Sequence, residues 1–533
     1  DKNGYVDDFY GINPTIANIG SYQRGAPSEF IEPISGLYRG HGTHVAGIIG
    51  AVGNNGIGVT GVNWKVGLMP LKVGTSSGTI TVDWIVECIE YILKKKDEGE
   101  NIIAVNASFG GYVRMQALEE AIEKLMERGI LFITAAGNGL RNIDYHPVHP
   151  AGIYLPNVIT VLATDINDQP AIFSTLGGGT NYGKFKVHVG APGKGIYSTL
   201  PTNSYGSMDG TSMAAPFVTG LAALIKSKFT TYDWIKIKNL ILTSGDDIPS
   251  LKDISITGKR INALDAVSPK GKTLMARLRL IGDKVSCYYK EKLDISALNL
   301  IDERGAGDVI VNIDSGETFT LYDNGNGFDI MSNDGVYSGS YDNTTQTVGK
   351  RKFTLPNNDS FECYFLKSYN YYPTAFVWED ITGYETNLNL VDNEVVKISS
   401  PFPIKFGGYE PGFTDIYIDS NGIISFFDDI RSYYWTQNSS YGLPDASLNI
   451  QIAPFRDDLL PQGTNNVYWA VLGNAPNRKL VIEWRNVLHY NVGGTNGVSF
   501  QVVFFENKSD ILFNYQDVKF GNASYDSGRN AVI

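Results

Sequence analysis

The rhythm of apolar and polar positions changes near residue 267. Before it, short apolar runs end in Gly, Asn or Ser: "IIAVNASFGG", "GILFITAAGN", "NVITVLAT" and "FKVHVGAPG". Such runs predict buried parallel strands with chemistry at their C-terminal ends. Between them the apolar residues recur at helical spacing. "VDWIVECIEYILKKK" puts Trp84, Ile85, Cys88, Ile89, Ile92 and Leu93 on one face. "RMQALEEAIEKLMERG" does the same with Leu118, Ala121, Ile122, Leu125 and Met126, and Gly129 closes that helix. Alternating strands and helices imply an α/β domain over 1–267, with a mainly parallel sheet covered by helices on both faces.

After "GKRINALDAV" the helical period disappears. Short alternating strands with Asn, Asp and Gly turns take its place. They predict two all-β sandwich domains: an immunoglobulin-like β-sandwich over 268–375 and an accessory β-sandwich over 376–533. Within "DIYIDSNGIISFF", Asn421-Gly422 predicts a two-residue hairpin turn. The closing "GRNAVI" reads as mid-strand, so a C-terminal cut is expected.

Composition narrows the function classes. A net charge of −12 argues against nucleic acid, whose phosphates call for clustered Lys and Arg. No apolar run approaches the ~18 residues of a membrane span. Three cysteines in 533 residues are too few for a disulfide scaffold. Cys88 reads as a buried thiol on a helix. Cys287 and Cys363 lie in strand-like runs, and two free core thiols are favoured over a disulfide.

Three stretches carry candidate chemistry. In "GHGTHVAGIIGA", His41 stands among Gly42, Ala46 and Gly47, side chains small enough for close helix packing. In "SYGSMDGTSMAAPFVTGLAALI", Gly210 permits a tight turn and the helix begins at Ser212, at the positive end of its dipole. In "ITAAGNG", Asn138 ends a predicted strand, where an amide can donate to a developing oxyanion. Each alone also fits a plainer role: a buried helix with satisfied histidines, an N-cap serine, a turn asparagine.

Together the strings resemble the subtilisin-like serine proteases, the subtilases. "GHGTHVAG" is similar to the family's histidine motif, "GTSMAAP" to its serine motif, "AAGN" to its oxyanion segment and "NASFGG" to its substrate-binding strand. The resemblance covers roughly residues 1–267. It implies an extracellular serine endopeptidase acting on protein or peptide substrates, with no cofactor needed for the chemistry. It implies His41 as general base, Ser212 as nucleophile, and Asn138 with the Ser212 backbone N–H as oxyanion hole. Ser108, Phe109 and Gly110 would pair with substrate as an added strand. Ala135, Ala136 and Gly137 would line the first specificity pocket. His44 would be structural.

One triad member has no counterpart here. The family order is Asp, His, Ser, and no Asp-Thr-Gly or Asp-Ser-Gly precedes His41. Asp314-Ser315-Gly316 lies far downstream and reads as a turn. Asp7 and Asp8 lack an apolar strand leading into them. "DKNGYVDDFYGIN" resembles an insertion that follows the catalytic Asp in many subtilases. The expectation is therefore that the Asp lies upstream of residue 1, together with the strand that bears it, and that this fragment is impaired. The alternative is a catalytically dead subtilase acting as an extracellular binding or adhesion protein through its β-domains.

Structural Ca²⁺ is a further expectation. "VGNNGIGVTGV" resembles a subtilisin calcium loop, which implies the Asn55 side chain and the carbonyls of Gly53, Ile57 and Val59 as ligands. "DKNGYVDD" and the stretch with Asp323, Asp329 and Asp334 also present spaced oxygens. Plain turn chemistry is the alternative for the Gly53–Val59 loop and for the stretch with Asp323, Asp329 and Asp334, and "DKNGYVDD" lacks the later bidentate Glu of an EF-hand. The last region resembles β-sandwich modules attached to secreted bacterial proteases, which implies docking to substrate or cell surface.

Overall fold

The structure is a computed structural model that describes residues 11–15, 40–75, 79–174, 177–278, 284–327, 329–343, 347–370, 372–428, 451–490 and 496–522. Asp7, Asp8, the "DKNGYVDD" loop and the closing "GRNAVI" lie outside the described residues. Two compact units emerge. The first comprises Asp1–Leu280, Asp294–Ile310 and Thr320–Gly339, and the second Ile281–Leu293, Val311–Phe319 and Ser340–Ile533.

The first unit contains eight strands of interest: β1 (Ala104–Ala107), β2 (Leu131–Ala135), β3 (Val158–Thr164), β4 (Val189–Pro192), β5 (Ile196–Leu200), β6 (Ser204–Met208), β7 (Asp246–Asp247) and β8 (Lys259–Arg260). Six form one sheet in the order β1-β2-β3-β4-β8-β7, parallel except for the β7–β8 pair. Every residue of β2 and β3 is buried, so these strands show no polar alternation.

Helices cover both faces of the sheet. They are α1 (His41–Gly50), α2 (Val82–Asp97), α3 (Gln116–Glu127), α4 (Thr211–Lys228) and α5 (Trp234–Ser244). On one face Ala214, Ala215, Val218 and Ala222 of α4 meet Ile133, Val161 and Ala163. On the other, Ile85, Ile89 and Ile92 of α2 meet Leu118, Ile122 and Leu125 of α3 over Phe132. All five expected α3 positions are buried, and Gly129 at φ 72° ends that helix. The α2 face is slightly rotated from expectation: Tyr91 is buried beside Ile85, Cys88, Ile89 and Ile92, while Trp84 and Leu93 are half-buried.

Part of the β-rich stretch belongs to this unit. Thr273–Leu278 pairs antiparallel with residues 296–301, from Thr273↔Ile301 to Leu278↔Ser296. Leu274, Leu278, Leu298 and Leu300 close a core with Leu242 and Ile256. Asn239 Nδ2 of α5 donates to the carbonyls of Glu303 and Asp334 at 3.3 and 3.2 Å.

In the second unit, Lys284–Tyr288 runs parallel to Ser360–Leu366, and Gly349–Thr354 pairs antiparallel with the latter. Cys287 and Cys363 are both free, with Sγ atoms 3.7 Å apart. Farther along, Val467–Leu472, Lys479–His489, Val498–Phe505 and Ile511–Asp517 form an antiparallel ladder. A second sheet contains Val395–Ile404, Phe413–Asp419 and Ile424–Ser425. Phe402, Phe426, Phe455, Trp484, Phe500 and Phe504 fill the core. The Asn421-Gly422 hairpin forms, but its turn holds three residues rather than two. Asp419 N donates to Ile423 O at 2.9 Å, and Gly422 takes the left-handed conformation at φ 82°.

A close approach that bears on the site lies between α1 and the β5–β6 hairpin. A Cβ on Gly47 would sit 2.2 Å from Thr199 Oγ1 and 2.5 Å from Ser198 Oγ. Those hydroxyls donate to the carbonyls of Thr43 and His44, each at 2.8 Å. Gly47→Val is therefore expected to cost about 3 kcal/mol in urea unfolding. Gly67→Ala, with no atom within 4 Å of the added Cβ, should stay within about 0.5 kcal/mol of the parent.

Candidate active site

Ser212 is the second residue of α4. The chain reaches it through Gly210, whose φ of 148° suits a residue without a Cβ. Met213 N donates to Gly210 O at 3.0 Å, so the helix starts at once. The Ser212 backbone N–H lies in the first turn, where amides have no intrahelical partner and the dipole is positive. The Ser212 hydroxyl donates to the Ser108 carbonyl at 3.3 Å.

Asn138 follows the end of β2. Its Oδ1 accepts from both the backbone N–H and the hydroxyl of Thr211, at 2.9 and 2.8 Å. Thr211 Oγ1 in turn accepts from Gly137 N at 3.0 Å. With its oxygen so held, the amide can only present Nδ2 on its other side. A Cβ on Gly210 would sit 3.4 Å from Asn138 Nδ2 and 3.6 Å from Ser212 N. Two N–H donors thus converge on the space in front of Gly210. Thr211 was not singled out from the sequence, although it stands inside the "GTS" string that marks Ser212.

His41 opens α1 after Gly40, which has φ 76°. Burial, with the neighbouring His44 adding to it, lowers its pKa to about 4. No carboxylate among the described residues offsets this. His44 is fully buried, and its Nε2 lies 2.9 Å from Ile196 O and 3.1 Å from Gly206 O. Both partners are carbonyls, so Nε2 carries the proton and donates. His44 therefore fastens α1 to the β5–β6 hairpin.

The end of β1 is tied to the serine. Ser108 Oγ donates to Ser212 O at 2.8 Å and accepts from Asn106 Nδ2 at 2.9 Å. Thr219 Oγ1 of α4 donates to Asn106 Oδ1 at 3.0 Å. A cleft of about 1970 Å³ joins His41, Ser212, Asn138, Ser108, Phe109, Gly110, Ala135 and Gly137. Ala136 does not line it and lies fully buried beneath. Val148 stands between the two walls, with Cγ1 3.2 Å from a Cβ placed on Gly110 and 3.7 Å from one on Gly137. The cleft continues along β1, between that strand and residues 66–75, over Ile85, Ile89, Phe132 and Leu224. Among the described residues, β1 pairs only with β2.

The candidate metal ligands fall in two places. Gly53, Asn55, Ile57 and Val59 share a largely exposed turn in which Asn55 Oδ1 accepts from Ile57 N at 3.0 Å. That turn offers only neutral oxygens. Asp323, Asp329 and Asp334 bring carboxylate oxygens within 4.8 Å of one another. Backbone amides of Asn333 and Gly335, Gly325 and Met331, and Val336 hold them. Burial, with Asp323 and Asp329 adding to it, raises Asp334 to about 7. Three converging hard oxygens fit Ca²⁺.

A serine at a helix start after a parallel sheet, lining one cleft with a histidine and an amide, is the arrangement of an α/β serine peptidase. Residues 20–263 match the Subtilase family, and residues 368–533 match the family described as NIDO related. Subtilisin DY of Bacillus licheniformis is 37% identical over 209 residues, 39% of this chain and 71% of that protein. Thermitase of Thermoactinomyces vulgaris is 37% identical over 228 residues, 43% of this chain and 75% of its own length. Subtilisin Savinase of Lederbergia lenta is 37% identical over 221 residues, 41% and 75% respectively. The chain belongs to the subtilase family. No described helix is long and apolar enough to cross a membrane.

Gly210→Ala would place a methyl group against both converging donors and strain a φ of 148°. Labelling of Ser212 by a fluorophosphonate should slow by about 100-fold, the known scale for losing one oxyanion donor. The melting temperature serves as the folding control.

Proposed function

We propose that this chain is an extracellular serine endopeptidase that cleaves protein or peptide substrates through an acyl-enzyme. The observation that carries the reading is the convergence of Asn138 Nδ2 and Ser212 N in front of Gly210. Ser212 Oγ attacks the scissile carbonyl while its proton passes to His41. The resulting oxyanion accepts from the two N–H groups. His41 returns the proton to the leaving amine, and water then repeats the sequence on the ester.

A histidine with its pKa near 4 is neutral at pH 7 and can accept a proton, but it is a weak base. The proposed mechanism calls for a carboxylate at its other ring nitrogen. Among the described residues the outer edge of β1 is unpaired and borders the cleft, and one further parallel strand there would carry that carboxylate to His41. The test adds an apolar strand ending in Asp-Thr-Gly ahead of residue 1. Ser212 labelling should accelerate by about 10⁴-fold, the scale of the triad Asp. Its acid limb should also move up from about pH 4, because labelling needs neutral His41 and a carboxylate raises that pKa. Equal rates with and without the strand would count against this. Absence of labelling in both, with Ser212→Ala as the blank, would favour the binding-protein reading, in which residues 376–533 act by docking to protein or polysaccharide.

We further propose that Asp323, Asp329 and Asp334 hold a structural Ca²⁺. A chelator should lower the melting temperature by several degrees, and Asp329→Asn should abolish that sensitivity. An unchanged melt removes calcium from the account.

A further inference from the structure

The loop that carries Asn138 is held by a residue the reaction itself does not use. Asn181 is 2% exposed and lies on a segment that runs beside residues 136–143. Its Nδ2 donates to Ala136 O at 2.9 Å. Its Oδ1 accepts from Gly139 N and Arg141 N, both at 2.9 Å. Its backbone N–H donates to Gly137 O at 2.8 Å. One asparagine therefore satisfies four polar groups of a loop that has left the sheet and would otherwise need water.

The packing is as close as the bonding. Gly137 has φ 99°, and a Cβ there would sit 2.4 Å from Asn181 Nδ2. The two residues flanking Asn138 are thus both pinned by Asn181, Gly137 through its carbonyl and Gly139 through its amide. Neighbouring bonds extend the seam: Gly179 N donates to Asn138 O at 3.1 Å and Leu140 N to Gly179 O at 3.0 Å. Thr211 fixes how the Asn138 amide is turned, and Asn181 fixes where its backbone stands.

We propose that Asn181 is the positioning residue of the oxyanion site, acting through Asn138 and through the Ala135–Gly137 wall. It touches no reacting atom. The inference rests on the peptidase reading, since it assigns Asn138 its donor role. A displacement of about 1 Å in such a donor is enough to cost ~100-fold in rate.

The test is a cycle on Ser212 labelling by an alkyl fluorophosphonate, whose phosphonyl oxygen needs the same donors. Asn181→Leu keeps the branched shape in a larger side chain and removes three side-chain bonds. Its saturating rate should fall by about 30-fold, with the half-saturating concentration within about threefold of the parent. In an Asn138→Ala background the same substitution should cost less than about threefold, because its route of action is gone. A cost of equal size in both backgrounds, or a parental rate for Asn181→Leu alone, overturns the proposal. If that variant does not fold, Asn181→Asp keeps the shape and both acceptor bonds and sets an oxygen against the Ala136 carbonyl in place of the donor, and the same non-additivity is required of it. If neither the parent nor the strand-extended chain takes label, the peptidase reading fails by itself. The clamp is then decided by hydrogen exchange. Gly139 and Arg141 amides should lose about tenfold or more in protection in Asn181→Leu while the β2 amides keep theirs. Unchanged protection at 139 and 141 refutes it.

Discussion

The Asn138 side chain can offer its N–H to the cleft only because Thr211 takes its oxygen. A free asparagine amide has two nearly equivalent orientations, and one of them would put a lone pair where the proposed oxyanion would sit. Two donors from one residue, the Thr211 N–H and O–H, make that orientation the costly one. Thr211 is itself the first residue of α4, so the helix that presents Ser212 also sets the amide opposite it. Serine and asparagine come from distant parts of the chain, yet their relative geometry is settled across a single hydrogen-bonded contact. That contact requires β2, β3 and α4 to pack as they do, with alanines on the helix face where it meets the sheet.

The electrostatics of the cleft follow from burial. His41 is driven toward its neutral form by desolvation, with His44 adding to the effect. Neutrality suits a group waiting to receive a proton, but the same desolvation weakens it as a base. A carboxylate is the standard remedy, since it stabilises the imidazolium that forms during attack. The acidic cluster of the first unit shows the opposite balance. Asp334 is raised to about 7 by burial, while buried Lys238 of α5, lowered to about 8, sits close enough to pull it back. That pair links the helix behind the peptidase sheet to the β-strands that follow it.

How much of this was legible in the sequence depended on the range of the interaction. Unbroken apolar runs marked β2 and β3, because a strand buried on both faces needs no polar side. The 3.6-residue period gave the α3 face completely, since one stripe of that helix meets one neighbour. The α2 face came out rotated, because Tyr91 is buried against Ile12, which no helical pattern in the sequence could show. The "SNG" turn was recognised, but its length was set by the Asp419–Ile423 bond and not by the dipeptide. The candidate reacting groups were readable because they sit in short strings with fixed neighbours. Asn181 was not, since "GGGTNYG" carries no signal until it folds against a loop some forty residues earlier.

The edge of β1 brings these points together. An unpaired strand edge beside apolar side chains is a liability that folded proteins normally cover. Among the described residues this edge has no partner, and it runs into Ser108, whose carbonyl accepts a hydrogen bond from the Ser212 hydroxyl and whose own hydroxyl donates to the Ser212 carbonyl. A strand pairing with β1 would therefore do two things at once. It would satisfy the backbone of the segment that braces the nucleophile, and it would end beside the helix that starts with His41. Stability of the sheet and basicity of the histidine would then come from the same element. On that argument the low basicity of His41 and the unpaired edge of β1 among the described residues are one feature of the fold, and a strand along that edge would strengthen His41 in its proposed role.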